Sequence, residues 1–154
     1  MMIDALYIFL ITSTALLMGN EFCIAFFIHP SLSKADHKRF IPAIQVFAEL
    51  FGRVMPFWMG GTLLLHLALA WFMWSSHHSA GIYTLYAAIT WAFIVIFSVI
   101  LPVPINNRVG LWNPSDLPPN WESERKLWDI YNSTRVGIIG FAFVLLLFAY
   151  RNAL

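Results

Sequence analysis

Residues 12–30, TSTALLMGNEFCIAFFIHP, are apolar enough to cross a bilayer, yet they carry Asn20 and Glu21 inside the run and end on His29-Pro30. A carboxylate at membrane depth costs at least a few kcal/mol unless something pairs with it, so Glu21 marks a polar site within the fold. What Glu21 faces decides between a purely structural bundle and one that does chemistry.

The composition requires the membrane. Of 154 residues, 60% are hydrophobic and only 11% are charged, against roughly 25% charged in soluble domains. A water-soluble fold of this size lacks the interior to hide that much apolar surface. The formal net charge of +1 offers no basic face for nucleic acid. Cys23 is the single cysteine, which excludes an internal disulfide and any zinc site built from several cysteines. It reads as a small apolar filler.

Four spans are expected. The N-terminal run looks like a signal peptide but lacks a basic start and leads into more apolar sequence, so it reads as a retained span over residues 4–28 with Asp4 as N-cap. Residues 54–74 and 82–101 contain no charge, and residues 135–151 form a fourth span flanked by Arg135 and Arg151, whose stems can snorkel to the interfaces. The chain is thus expected to be one all-α transmembrane domain over residues 1–154, an integral membrane four-helix bundle. Between the first two spans, Phe40, Ile44, Phe47 and Phe51 recur at helical spacing. They predict an amphipathic interfacial helix over residues 37–52. His77-His78 lies in a short turn over residues 75–81, as a solvated pair or a stray metal ligand. Residues 102–135 form a long loop whose start, PVPINNR, cannot continue a helix because of Pro102 and Pro104.

Eight of the nine basic residues fall in the first and third loops, and Arg151 is the ninth. The positive-inside rule then places both long loops in the cytoplasm and both termini outside.

Depth sorts the polar residues. Glu21 lies about fifteen residues past the entry of the first helix, roughly 22 Å into a hydrocarbon core about 30 Å thick. His29 follows at the boundary, and His66 lies near mid-membrane on a face shared with Thr62. Arg53, Asn106, Asn107, Arg108, Asn132 and Arg135 all belong to the same end as Glu21. Arg135 and Arg53 are the expected partners of Glu21, because each stands at the foot of a helix. Such a pair either locks the helices, with Asn106 and Asn132 capping helix ends, or floors a pocket under an apolar roof. His66 is either a core residue bonded to a backbone carbonyl or a base facing Glu21. A metal, if one binds, would draw on Glu21, His29 and His66, although these lack the Glu-x-x-His spacing of diiron bundles.

Four motifs, GNEFCIAFFIHPSL, FGRVMPFW, PVPINNRVGLW and W-x-x-x-R-x-x-W-D-x-Y-N-x-x-R, resemble the anthrone oxygenase-like family of small four-helix membrane proteins. The likeness runs through almost the whole chain in matching order. It implies oxidation of an anthrone to an anthraquinone by molecular oxygen, with no organic cofactor required, and its bacterial members point to a bacterial inner membrane. Depth and residue chemistry make Glu21 and His66 the catalytic candidates, and of the two Glu21 also matches a family motif by position. Asn20, His29, Arg53, Asn106, Asn107, Arg108, Trp128, Asn132 and Arg135 are the substrate-binding candidates. One departure stands out: many relatives carry histidine where this chain has Asn132. The chemistry fits an apolar slot with one base and oxyanion donors, because the anthrone C–H is acidic enough to give an enolate that reacts with oxygen.

Two other functions compete with an oxidase of lipophilic aromatic or quinone-like substrates. One is a non-catalytic binding protein or accessory subunit that holds a hydrophobic ligand or lipid. The other is a small transporter with Glu21 and His66 as proton relay, which the sparse polar content of the outer half disfavours. Membrane lipid and a hydrophobic small molecule are the expected partners. Gly137, Gly140 and the stripe of Ala15, Gly19 and Cys23 would permit a homo-oligomer.

Overall fold

A computed structural model describes residues 2–34, 36–76 and 78–154, apart from the side chains of residues 37, 75, 76 and 78. The chain is all α: α1 (Met2–Cys23), a π-helical turn (Ile24–Ile28), α2 (His29–Leu32), α3 (His37–Ser76), α4 (His78–Ile100), α5 (Pro102–Val109) and α6 (Trp121–Ala153). Four helical stretches are long and apolar enough to cross a membrane, and the four expected spans fall within them. The spans form a ring in which α1 borders α3 and α6, and α4 borders the same two.

Each stretch has 31 to 37 residues. At 1.5 Å per residue they run about 45–55 Å, well beyond a hydrocarbon core of about 30 Å. The excess gathers at one end of the bundle, where α2, the first half of α3, α5 and the start of α6 meet. Two apolar clusters fill the spans. Tyr7, Leu10, Leu69, Met73, Leu146 and Ala149 pack near the chain termini, and Leu17, Met59, Trp91, Ile94 and Ile139 pack midway. A third cluster of Phe40, Ile41, Ile44, Ile105, Val109 and Trp112 caps the extended end.

The sequence-derived elements differ from the structure in three places. The amphipathic segment expected at 37–52 is not a separate surface helix but the first half of the 40-residue α3, with Pro42 and Pro56 inside it. Its apolar face packs on α5 and the loop that follows. The run at Pro102 restarts a helix instead of opening a loop. Leu101 breaks the α4 geometry at φ −107° and ψ −71°, and Pro102 takes the first position of α5, where its missing N–H costs nothing. The turn over 75–81 is tighter than expected, since α3 ends at Ser76 and α4 begins at His78. A Cβ at Gly81 would lie 2.9 Å from the Met73 carbonyl oxygen, so this close approach of two helix backbones requires glycine. The histidine pair at 77–78 lies outside the described residues and side chains.

The π-helical turn has a local cause. Pro30 cannot donate to the carbonyl four residues back, and its ring would crowd that carbonyl. The chain widens just before it, and the His29 N–H reaches the Ile24 carbonyl, five residues back. Such single π turns recur at functional sites.

Candidate functional site

The extended end encloses a cavity of about 290 Å³, at the small end of ligand sites. Most of its wall is apolar: Phe47, Phe51, Met55 and Pro56 from α3, Met59 deeper on the same helix, and Val95, Val99, Val103 and Ile105 from α4 and α5. Pro56 also withholds the usual helical N–H from the Gly52 carbonyl, and both residues line the cavity. The polar lining is confined to a few side chains, namely Glu21, His29, Ser98, Asn106, Asn107, Arg125, Trp128 and Arg135.

Glu21 is 2% exposed and has the partner its burial demands. The Arg135 Nη2 donates to Glu21 Oε2, and the same nitrogen donates to Asn132 Oδ1 at 2.6 Å. The spacing of three between Asn132 and Arg135 puts both on one face of α6. Burying this pair is tolerable because each ion neutralises the other, whereas removing one strands a charge.

His29 forms the second polar element. Its Nδ1 lies 2.9 Å from Asp129 Oδ1. An ionised carboxylate only accepts, so Nδ1 carries the hydrogen and donates it. That leaves Nε2 as the ring nitrogen free to meet a substrate, the logic by which an acid orients a catalytic histidine. The ring is further fixed by stacking on Trp128 at 4.2 Å between centroids, with Phe40 edge-on at 6.2 Å.

The structure brings Glu21, His29, Asn106, Asn107, Trp128 and Arg135 to the cavity wall, with Asn132 fully buried behind Arg135. Other candidates lie elsewhere. His66 is fully buried outside the cavity lining, with Nδ1 2.9 Å from the Thr62 carbonyl oxygen and its ring stacked on Trp91 at 5.0 Å. Of its two expected settings, the core one is observed. Arg53 is not the partner of Glu21. Its side chain is 77% exposed and pairs with Glu49 one turn back on α3. Arg108 pairs with Glu124 at 3.0 Å on the outer surface, and Asn20 is part-buried outside the lining. Among the described residues, no three His, Cys, Asp or Glu side chains converge, so the trio Glu21, His29 and His66 is not assembled as a ligand set.

Two residues at this site escaped the sequence reading, Asp129 and Arg125. Both stand in the W-x-x-x-R-x-x-W-D-x-Y-N-x-x-R motif. The signal was available in spacing: 125, 128, 132 and 135 advance by three, four and three, which is one helix face, and Asp129 adjoins it.

The anthrone oxygenase family model matches residues 47–145, well over half of the chain. The chain belongs to the anthrone oxygenase family. Neither a curated protein nor a solved structure gives a match. The region shared with the anthrone oxygenase family holds α4, α5, most of α6 and much of α3, and with them Asn106, Asn107, Arg125, Trp128, Asp129 and Arg135. Glu21 and His29 precede it, so in this anthrone oxygenase family member the acid and the histidine reach the shared wall from the first helix.

Proposed function

We propose that this chain oxidises a lipophilic aromatic or quinone-like substrate with molecular oxygen, in the manner the family name describes. One observation carries the reading: an apolar cavity within a membrane bundle ends on a histidine oriented by an aspartate, beside a buried Glu21–Arg135 pair. Family membership supports it independently.

In this mechanism His29 Nε2 removes a proton from the acidic C–H of an anthrone-type ring system. The electron pair moves toward the ring carbonyl, and the enolate oxygen is met by Arg135 as donor, with Asn106, Arg125 and Trp128 the other donors lining the cavity. The carbanionic carbon then bonds to dioxygen, and the resulting peroxide takes up the proton held by His29. Loss of the second hydrogen from that carbon cleaves the O–O bond, releases one water and leaves the new carbonyl. Glu21, paired with Arg135, positions the guanidinium.

The excess of Lys and Arg in the loops of the cavity end further supports a cytoplasmic placement of that end, in a bacterial inner membrane.

The test is oxygen consumption by purified protein with an anthrone. His29→Ala is expected to lower the rate by about 10²–10⁴ and Glu21→Gln to lower it less, whereas folded His66→Ala keeps it. Full activity in His29→Ala removes the assigned base. Anthrone binding without any uptake in the wild type leaves a carrier instead of an enzyme.

A further inference from the structure

Four residues on one face of α6 share an unusual property. Arg125 Nε, Trp128 Nε1, Asn132 Nδ2 and Arg135 Nε are all buried and have no acceptor among the described residues. Three of these side chains, Arg125, Trp128 and Arg135, line the cavity. Buried donors normally have partners, and leaving one unsatisfied forfeits its hydration with nothing in return. A strip of donors along one wall therefore calls for acceptor atoms.

Charge narrows the choice. The carboxylates near this face of α6 are already engaged: Glu21 with Arg135, Asp129 with His29, and Glu124 with Arg108 on the outer surface. Arg125 has no carboxylate partner among the described residues. Its guanidinium rests over the Phe40 ring at 5.4 Å, a contact that leaves its charge uncompensated. The cavity thus presents one unmatched cation beside its unsatisfied donors. Ring systems set the shape of the remaining space. Phe47 and Phe51 lie nearly parallel at 5.9 Å, and His29 lies against Trp128.

We propose that the site is built for an aromatic anion, with the flat apolar body between the ring-bearing walls and an ionised oxygen (phenolate, enolate or carboxylate) received by Arg125 together with Trp128 and Arg135. Arg125 is then the specificity-determining residue. The inference rests on the cavity being the substrate site, and it holds whether or not turnover occurs there. It also explains why a guanidinium serves at position 125, since a planar donor fork meets a carboxylate or an enolate edge better than an ammonium does.

The experiment compares two probes of one shape, anthracene-9-carboxylate and anthracene-9-methanol, by their fluorescence on binding to purified protein in phosphatidylcholine nanodiscs. Wild type is expected to hold the carboxylate at least tenfold more tightly. Arg125→Gln is expected to bring that ratio near one while leaving the affinity for the alcohol unchanged, and Arg125→Lys to keep part of it. Equal affinity of wild type for the two probes overturns the proposal. So does a loss of both in Arg125→Gln, which would mark Arg125 as a packing residue. Displacement of the carboxylate by equimolar laurate would show a general fatty-anion site and overturn the aromatic half. Anion preference without oxygen uptake leaves this inference standing and removes the enzymatic one; uptake without anion preference does the reverse.

Discussion

Near the chain termini, Tyr7 reaches Thr84 at 3.1 Å, and Thr84 passes its own hydrogen to the Ala80 carbonyl at 2.7 Å. Small side chains, Ala80, Ala87 and Ala149, let the helices close around that pair. At the cavity end the polar groups are long and charged, and several of their donors have no acceptor. Both ends bury polar atoms inside a membrane bundle; near the termini this pair is satisfied locally, whereas at the cavity end four buried donors on α6 are not. Side chains that bond a carbonyl one turn back serve the helix; the hydroxyls of Thr12, Thr84, Thr90, Ser98 and Thr134 and the ring of His66 all do this. Guanidinium and indole groups that cannot do so are held open toward a space.

The sharpest test of this contrast is Arg135→Met, which strands Glu21. Unfolding in detergent should show a loss of about 3–5 kcal/mol, with most of it regained in the double variant Glu21→Met, Arg135→Met while binding of the carboxylate probe stays lost. At the closed end, Gly81→Val drives a side chain into the Met73 carbonyl and should cost about 1–3 kcal/mol, with probe affinity unchanged. An affinity loss there would mean that the two ends are coupled. Asp129→Asn should lower oxygen uptake about 10–100-fold, the size of effect seen when a histidine loses its orienting partner, with the unfolding midpoint nearly preserved. Tyr7→Phe removes one neutral hydrogen bond and should cost about 1 kcal/mol, leaving uptake intact. Arg53→Ala breaks only an exposed pair and should move stability by less than about 0.5 kcal/mol.

The bundle was legible because hydropathy alone dictates it, and the Glu21–Arg135 pair was legible because depth left few cations in reach. Depth does not give azimuth. Arg53 and Arg135 stand at comparable levels, but Arg53 points out of the bundle and finds Glu49 one turn away. For His66, depth leaves two settings open, a core residue bonded to a carbonyl or a base facing Glu21, and the bond to the carbonyl four residues back on its own helix is the one observed. Asp129 and Arg125 were passed over because the approach to α6 is rich in charge, and a charged stretch before a span reads as solvated. The helical phase that separates its inward residues from its outward ones follows from where the rest of the ring sits. The continuous α3 was hidden for a related reason. Pro42 and Pro56 suggest boundaries, yet each removes a single hydrogen bond, and packing against α5 and α4 supports the helix through both.

The π turn at Ile24–Ile28 has a consequence for how such a site can vary. It fits one extra residue into nearly the rotation of an ordinary turn, so the residues beyond it stand about 100° from where an uninterrupted α-helix of the same chain would put them. Deleting Phe27, which is 60% exposed, should let the span close as ordinary α-helix and still cross the membrane with the His29 ring kept on the side of Asp129, because losing the residue and losing the wide turn cancel. Read in the other direction, a one-codon insertion into a plain hydrophobic span is absorbed by a wide turn without parting the histidine from its aspartate, so the span tolerates insertion and deletion there as well as substitution.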